Sequence, residues 1–395
     1  MQHRIVVLGA GYAGACAAGY LARRLHPSEV EITVVNAEAE FVERMRLHQL
    51  AAGDDGRRHQ LADLFAGTGI RLRVARVTAL DVHRREVTVT DGAGTDLIGY
   101  DTLLHALGST AADRGVPGVS EHAFDVAGRP SALRLRRRLD ELGGEGTVLV
   151  VGGGLTAIEA ATEIAESRPG LRVVLATSGR PGGWFGPKAR RHLLRAFDRF
   201  GIEVHAHTTV VGVDASGVRT ADGTVLRCDA TVWAAGFSVP SLAADAGLAV
   251  DDDGRMLVDR QMRSVSHPQV YAAGDGARAV GDNGRPLPMS CATAGLTRMQ
   301  ATASIIGDLT GRRIPVSPLA YTGNCVSLGR ADALFQVVDR EGRSTWSLRG
   351  AAAAWMKAGV LRATAWNQGH PTYGLPARRL RLPGAIDRPV EAVRP

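Results

Sequence analysis

"VLVVGGGLTAIEA" at residues 148–160 repeats in outline "IVVLGAGYAGACA" at residues 5–17. Each copy runs a β-branched apolar segment into closely spaced small residues and then into an Ala-rich helical stretch. In the first, Gly9, Gly11 and Gly14 spell G-x-G-x-x-G after the strand "RIVVL", and a second strand, "VEITVVN" (30–36), follows. The first glycine permits a tight turn, the second lets a pyrophosphate reach the backbone, and the third lets helix and strand close up. The helix N-terminus adds free N–H groups and partial positive charge. The other copy reads Gly152, Gly154, Ala157 after "TVLVV", with its own second strand "LRVVLA" at 171–176. A glycine-rich turn would explain one such cluster. Two complete units predict two dinucleotides and an α/β fold with two Rossmann-like, parallel-sheet, three-layer units.

Composition agrees with that class. A chain of 395 residues has room for two or three domains whose cores need no covalent staples. Its 48 glycines and 22% charged residues suit a turn-rich α/β protein and exclude a disordered or coiled-coil one. Cys16, Cys228, Cys291 and Cys325 form neither a CxxC nor a metal-ligand spacing, which predicts a reduced intracellular chain without a metal. His3 and Arg4 before an apolar run imitate a signal peptide, but the glycines at 9, 11 and 14 account for that run better. No stretch reaches the ~20 apolar residues of a spanning helix, so a cytoplasmic protein is expected. The net charge of +7 is modest, and the densest basic run, "LRLRRRLD" (133–140), is flanked by acids. It reads as a solvated helix face, and no nucleic-acid partner is expected.

A third element, "HPQVYAAGDGA" at 267–277, carries a short apolar strand straight into Gly-Asp. With it the chain resembles the two-dinucleotide-binding-domain flavoproteins, the pyridine-nucleotide oxidoreductase superfamily. "YDTLLHALGST" (100–110) and "ATVWAAGF" (230–237) extend the resemblance over nearly the whole chain. It implies that the first cluster holds FAD and the second holds the nicotinamide nucleotide that reduces it. It also implies an FAD-binding domain from residues 1–115 and 255–312, an NAD(P)H-binding domain at 116–254, and a C-terminal α+β interface domain at 313–395. The Gly-, Pro- and Asp-rich crossings "DRGVPGVSEH" and "AGLAVDDDGRMLVD" fit those boundaries. On this resemblance FAD would meet Gly9, Gly11, Tyr12, Ala13, Gly14, Asn36, Arg44, Val77, Gly108, Gly274, Asp275, Cys291 and Ala292, with Asp275 at the ribitol or adjacent phosphate. NAD(P)H would meet Gly152, Gly154, Leu155, Thr156, Glu159, Thr177, Ser178, Arg180 and Gly236. Asn36 stands where an acid usually holds the adenosine ribose, and it can still donate and accept hydrogen bonds.

Disulfide reductases of the superfamily carry a cysteine pair on the helix facing the flavin, but "FVERMRLHQLAAG" (41–53) has none, so direct hydride transfer is expected. Cys16 reads as a small buried thiol. Cys291, in "PMSCATAG", opens a helix aimed at the flavin pyrimidine, with no base or partner cysteine evident. "FVERMRLHQL", "YTGNCVSLGRADALFQ" and the basic tail helix resemble the branch containing type II NADH:quinone dehydrogenases, apoptosis-inducing-factor-like reductases and the ferroptosis suppressor protein. There electrons pass from NAD(P)H through FAD to a quinone. Glu159 matches that branch's acid beside the nicotinamide. His48 reads either as a proton shuttle to a quinone oxygen or as a packing residue near FAD. The helix "CATAGLTRMQAT" departs from the branch's Ala-Gln-x-Ala-x-Gln-Gln pattern, so any quinone pocket must differ.

The tail helix "AAAAWMKAGVLRATAW" (351–366) has two readings. Trp355, Val360, Leu361 and Trp366 could rest on lipid at the cytoplasmic face of a membrane, with Lys357 and Arg362 at the headgroups. Alternatively its Ala-rich face packs into the interface region. A homodimer, a protein electron carrier as acceptor, and a specialised natural-product reductase or oxidase stay open, although "TWSLRG" lacks the Gln of the carrier-reductase signal. For the nicotinamide, "VLATSGRPGG" (174–183) puts Ala176 where NAD-specific sites have an acid, with Thr177, Ser178 and Arg180 following. Hydroxyls and a guanidinium suit a 2′-phosphate, which favours NADPH over NADH.

Overall fold

The computed structural model describes residues 1–56, 58–370 and 379–383. In chain order the principal elements are β1 (His3–Leu8), α1 (Gly14–Arg24), β2 (Val30–Asn36), α2 (Leu47–Ala52), β3 (Arg71–Val74) and β4 (Thr102–His105). Next come β5 (Ala123–Phe124), α3 (Arg129–Leu142), β6 (Thr147–Val151), α4 (Leu155–Ser167), β7 (Arg172–Thr177), α5 (Pro187–Phe200), β8 (Glu203–Ala206) and β9 (Ala230–Trp233). Then follow β10 (Val270–Ala272), α6 (Cys291–Thr310), β11 (Gly323–Ser327), β12 (Ala333–Val338), β13 (Ser344–Arg349) and α7 (Ala351–Gly369).

The first sheet has the order β10-β4-β1-β2-β3, every pair parallel, so a strand from far along the chain completes the sheet begun at the N-terminus. Ile5, Val7, Val34 and Leu104 join one core with α1 and α6, while Val6, Leu8 and Leu103 join another against an antiparallel sheet drawn from residues 76–99. Burial on both faces explains why "RIVVL" shows no polar alternation. The second sheet, β5-β9-β6-β7-β8, is again parallel throughout. Val148, Val150 and Leu175 pack with Leu135 of α3, Ile158 of α4 and Leu193 of α5. The first sheet reverses strand order beside β1 and the second beside β6, which opens a ligand crevice at the carboxyl ends of the strands. Thr110–Ala111 pairs antiparallel with Phe237–Ser238, and Trp233 Nε1 donates to the Ala112 carbonyl at 2.7 Å, tying the entry to the exit of the second sheet.

The C-terminal part is an antiparallel β11-β12-β13 sheet on which α7 lies. The strands of this part begin only at Gly323. Pro315 and Pro318 lack the N–H a ladder requires, and residues 312–322 form no regular element. α7 runs on to Gly369 and crosses α1, where the Asn367 amide reaches the Cys16 thiol at 3.5 Å. Beyond it, Leu380 N donates to the Arg24 carbonyl at 2.7 Å.

Candidate active site

The two glycine turns match residue for residue: Gly9 N donates to the Val35 carbonyl, and Gly152 N to the Ala176 carbonyl, each at 2.8 Å. Gly9 (φ +93°) and Gly152 (φ +138°) are left-handed, and a side chain on either would strike a carbonyl, that of Ala106 or Ala234. By contrast, no atom lies within 4 Å of where a Cβ would sit on Gly11 or Gly154. The helices that follow, α1 and α4, have neither a side-chain cap nor an acid in the first turn. Their N–H groups are left for an anionic ligand. Open middle glycines under uncapped helices fit one dinucleotide pyrophosphate at each turn, with Leu155 and Thr156 opening α4 and Tyr12 and Ala13 preceding α1. The Tyr12 ring stands edge-on to Phe41 at 5.2 Å, and Gly14 closes against the Gly9 carbonyl.

The Gly-Asp element meets the first turn. Gly274 N donates to Thr297 Oγ1 at 2.9 Å, and a Cβ on Gly274 would lie 3.4 Å from that of Ala13, so α1, α6 and this element converge. Asp275 Oδ2 accepts from Ser109 Oγ at 2.6 Å and lies 3.7 Å from Arg44, which itself reaches Ser109 at 3.4 Å beside Gly108. Asp275, Arg44 and Gly108 are thus brought together, and Ser109 joins them without any signal in the motif. Val77 lies farther out, paired with Val89 on a strand that touches β2. Asn36 accepts from Ala10 N at 2.8 Å and donates to the Glu38 carbonyl at 2.7 Å, so its polar atoms brace the turn.

Matching the turns corrects the register of the second unit. The residue equivalent to Asn36 is Thr177, whereas Ala176, expected at the ribose, is fully buried in the core. Thr177 is itself buried, its hydroxyl beneath Gly153. Only Ser178 and Arg180 of the expected set are exposed. Gly236 (φ +127°) is flanked by the Arg114 guanidinium, which donates to the Ala235 carbonyl at 3.2 Å.

A buried polar cluster occupies the seam of α2, α4, β11 and α7. Glu159 Oε1 accepts from Ser327 N at 3.0 Å, from Ser327 Oγ at 3.1 Å and from Lys357 Nζ, and Lys357 also donates to Ser327 Oγ at 3.0 Å. Burial, the largest single influence, works to raise Glu159, but the nearby positive charge, led by Lys357, and the hydrogen bonds from Lys357 and Ser327 N together hold the carboxyl below its ordinary range. Lys357 therefore faces inward, which corrects its placement at lipid headgroups. Trp355 and Val360, 77% and 54% exposed, do face outward, as does Arg362. His48 Nδ1 lies 4.0 Å from Glu159 Oε2, and its Nε2 is buried with no hydrogen-bond partner among the described residues. Burial pushes His48 down to about 4, so the near-neutral titration expected of a shuttle is lost and the ring is neutral at pH 7.

Farther along α4, Glu163 pairs with Arg330 Nε at 3.0 Å and Glu166 accepts from Arg330 N at 2.6 Å. Acids at 159, 163 and 166 thus form one helical stripe that clamps the β11–β12 turn. Cys291 and Ala292 are exposed at the start of α6, behind the cap Ser290, whose Oγ accepts from Thr293 N at 3.1 Å. Enclosure by neighbouring groups pushes the Cys291 thiol up, and burial pushes Cys325 up to about 11. Neither is an activated thiolate.

Residues 3–297 match the family model described as pyridine nucleotide-disulphide oxidoreductase. The chain is 32% identical over 353 residues to an NADH dehydrogenase-like protein of Mycobacterium tuberculosis, covering 84% of this chain and 87% of that one. It is 26% identical to a demethylphylloquinone reductase of Synechocystis, covering 84% and 86%. Among solved structures, the sulfide:quinone oxidoreductase of Aquifex aeolicus shares its fold, with a TM-score of 0.78 at 20% identity over 94% of this chain and 93% of that one. Two glycine turns, the Gly-Asp element between them and α6, and a family match across three quarters of the chain have one explanation: the protein belongs to the pyridine nucleotide-disulphide oxidoreductase family.

Proposed function

We propose that the protein is an FAD-dependent NAD(P)H oxidoreductase that delivers electrons to a quinone and prefers NADPH to NADH. The observation that carries this reading is the compensated Glu159–Lys357–Ser327 cluster, with His48 at 4.0 Å, set beside the second of two dinucleotide-shaped glycine turns. Two relatives, named an NADH dehydrogenase-like protein and a demethylphylloquinone reductase, support a nicotinamide donor and a quinone acceptor. On this reading residues 1–115 and 255–312 hold FAD, 116–254 hold the nicotinamide nucleotide, and 313–395 close the site.

FAD held at the first glycine turn would supply the two-electron chemistry that links the nicotinamide to the acceptor. The balance is NAD(P)H + H⁺ + quinone → NAD(P)⁺ + quinol, so one proton per turnover comes from solvent. Glu159, ionised, takes the single Ser327 hydroxyl hydrogen and holds Lys357 Nζ, whose third N–H is left to donate to a carbonyl oxygen of the nicotinamide or the quinone. His48, neutral, serves as a relay that accepts a proton on one ring nitrogen as it gives one up from the other. With both thiols protonated, Cys291 and Cys325 take no part in the transfer. The exposed Trp355 and Val360 of α7 rest on the lipid that holds the quinone, and among the described residues no helix is long and apolar enough to cross it.

The test is anaerobic mixing of the FAD-loaded protein with NADPH, followed by menadione. Bleaching of the flavin absorbance and its return on adding menadione are expected. Retention of bound FAD that neither nucleotide reduces would overturn the reading, and faster return with a ferredoxin than with menadione would favour a protein carrier.

A further inference from the structure

Where the second unit would meet an adenosine ribose, the structure supplies a residue that the glycine motifs do not point to. The β7–α5 loop and the turn after β8 are joined by two backbone hydrogen bonds, His207 N to the Gly179 carbonyl at 3.0 Å and Thr208 N to the Thr177 carbonyl at 2.9 Å. Both loops leave the carboxyl ends of neighbouring parallel strands, the side on which such sheets bind ligands. His207 has φ +56°, a left-handed backbone that few residues other than glycine adopt and that histidine tolerates better than most. It is exposed, and so are Ser178 and Arg180 on the adjoining loop.

We propose that His207 completes, with Ser178 and Arg180, a seat for the 2′-phosphate of NADPH, and that its imidazole helps set the discrimination between NADPH and NADH. The inference rests on the nicotinamide-nucleotide reading above and deepens it. A hydroxyl, a guanidinium and an imidazole are the donors a phosphate monoester accepts from.

The surrounding charges leave that seat positive. Arg180 follows Gly179, whose carbonyl accepts from His207 N, and Lys188, Arg190 and Arg191 lie in the first turns of α5. On its own strand, Glu203 is engaged by His205 at 2.7 Å and by Arg172 of β7. In the turn beyond Thr209, Asp222 is engaged by Thr220 Oγ1 at 2.5 Å and by Thr224 N at 3.0 Å. Those carboxylates are committed to partners, and the residue equivalent to the ribose-binding acid is Thr177.

The experiment is calorimetric titration of the FAD-loaded protein with adenosine 2′,5′-bisphosphate and with 5′-AMP. Wild type and His207→Asn are compared, because Asn tolerates the left-handed backbone and removes the ring. Wild type should bind the bisphosphate more tightly. His207→Asn should narrow that margin about tenfold, with 5′-AMP affinity unchanged. The NADPH:NADH ratio of kcat/KM should fall in parallel.

Equal binding of the two mononucleotides by wild type would overturn the phosphate seat while leaving the nucleotide site standing. An unchanged margin in His207→Asn, or an equal loss of 5′-AMP affinity, would show that His207 merely holds the loop. Failure of both ligands to bind wild type would overturn the nicotinamide reading itself, and the seat with it.

Discussion

Lys357 and Glu159 lie 198 positions apart in sequence and share one buried site. Breaking such a pair from one side leaves an uncompensated buried charge, at a cost of about 3–5 kcal/mol, whereas removing both partners is often nearly neutral. Lys357→Met should therefore lower the unfolding free energy by that order, and Glu159→Gln together with Lys357→Met should restore most of it. Guanidinium unfolding of the two single variants and the double closes the cycle, and additive losses would show that the two groups are not coupled. Two buried histidines make a second prediction at this scale. Burial pushes His48 and His105 each from 6.5 down to about 4. Above about pH 6.5 neither state binds the proton. As pH falls from there toward 4, only the unfolded chain does, so stability falls with pH by up to ~3 kcal/mol per ring. Neither nitrogen of His105 has a hydrogen-bond partner among the described residues, so an apolar replacement forfeits nothing there. His105→Leu should flatten the fall in the unfolding midpoint between about pH 6.5 and 5; an unchanged slope would assign the acid sensitivity to other groups.

The glycine turns are where sequence and element correspond most directly. Strands β1 and β6 fall where their apolar runs stand, because a strand buried on both faces must be apolar throughout and the glycines then mark its end. The two glycine positions separate a folding role from a binding role. Gly9→Ala puts a methyl into the Ala106 carbonyl and strains a φ of +93°, so it should abolish soluble expression or cost several kcal/mol. Gly11→Ala meets nothing within 4 Å, so the fold should persist while the pyrophosphate loses its close approach. FAD retention through gel filtration and the melting temperature together check this. A Gly11→Ala protein that keeps full flavin would show that the ligand passes elsewhere. β7 proved less legible: a one-residue shift turns Ala176 into the core and puts Thr177 at the strand end. An apolar run states that a strand exists, but the hydrogen-bond ladder to its neighbour sets its register.

At the scale of the whole molecule, α7 shows two faces doing different work. Its inner face carries Lys357 to Glu159 and Asn367 to Cys16, and its outer face leaves Trp355 77% and Val360 54% exposed. The proposed lipid contact rests on that outer face. Sedimentation with vesicles containing anionic lipid should fall several-fold in a Trp355→Ser, Val360→Ser variant that still reduces menadione at the wild-type rate. Equal sedimentation would remove the lipid role.

The sequence by itself determined the two strand–glycine–helix units, the Gly-Asp element and the lack of a cysteine pair in residues 41–53. Each of these is a local pattern, because turns, strand ends and helix starts are set by residues a few positions apart. Only the tertiary structure decided that Lys357 turns inward to neutralise Glu159, that Ser109 joins Asp275, that His48 is buried and neutral, and that His207 borders the loop carrying Arg180. Those pairings join segments far apart in the chain. A side chain's charge and partners depend on what the fold packs against it, and residue type and spacing carry no record of that.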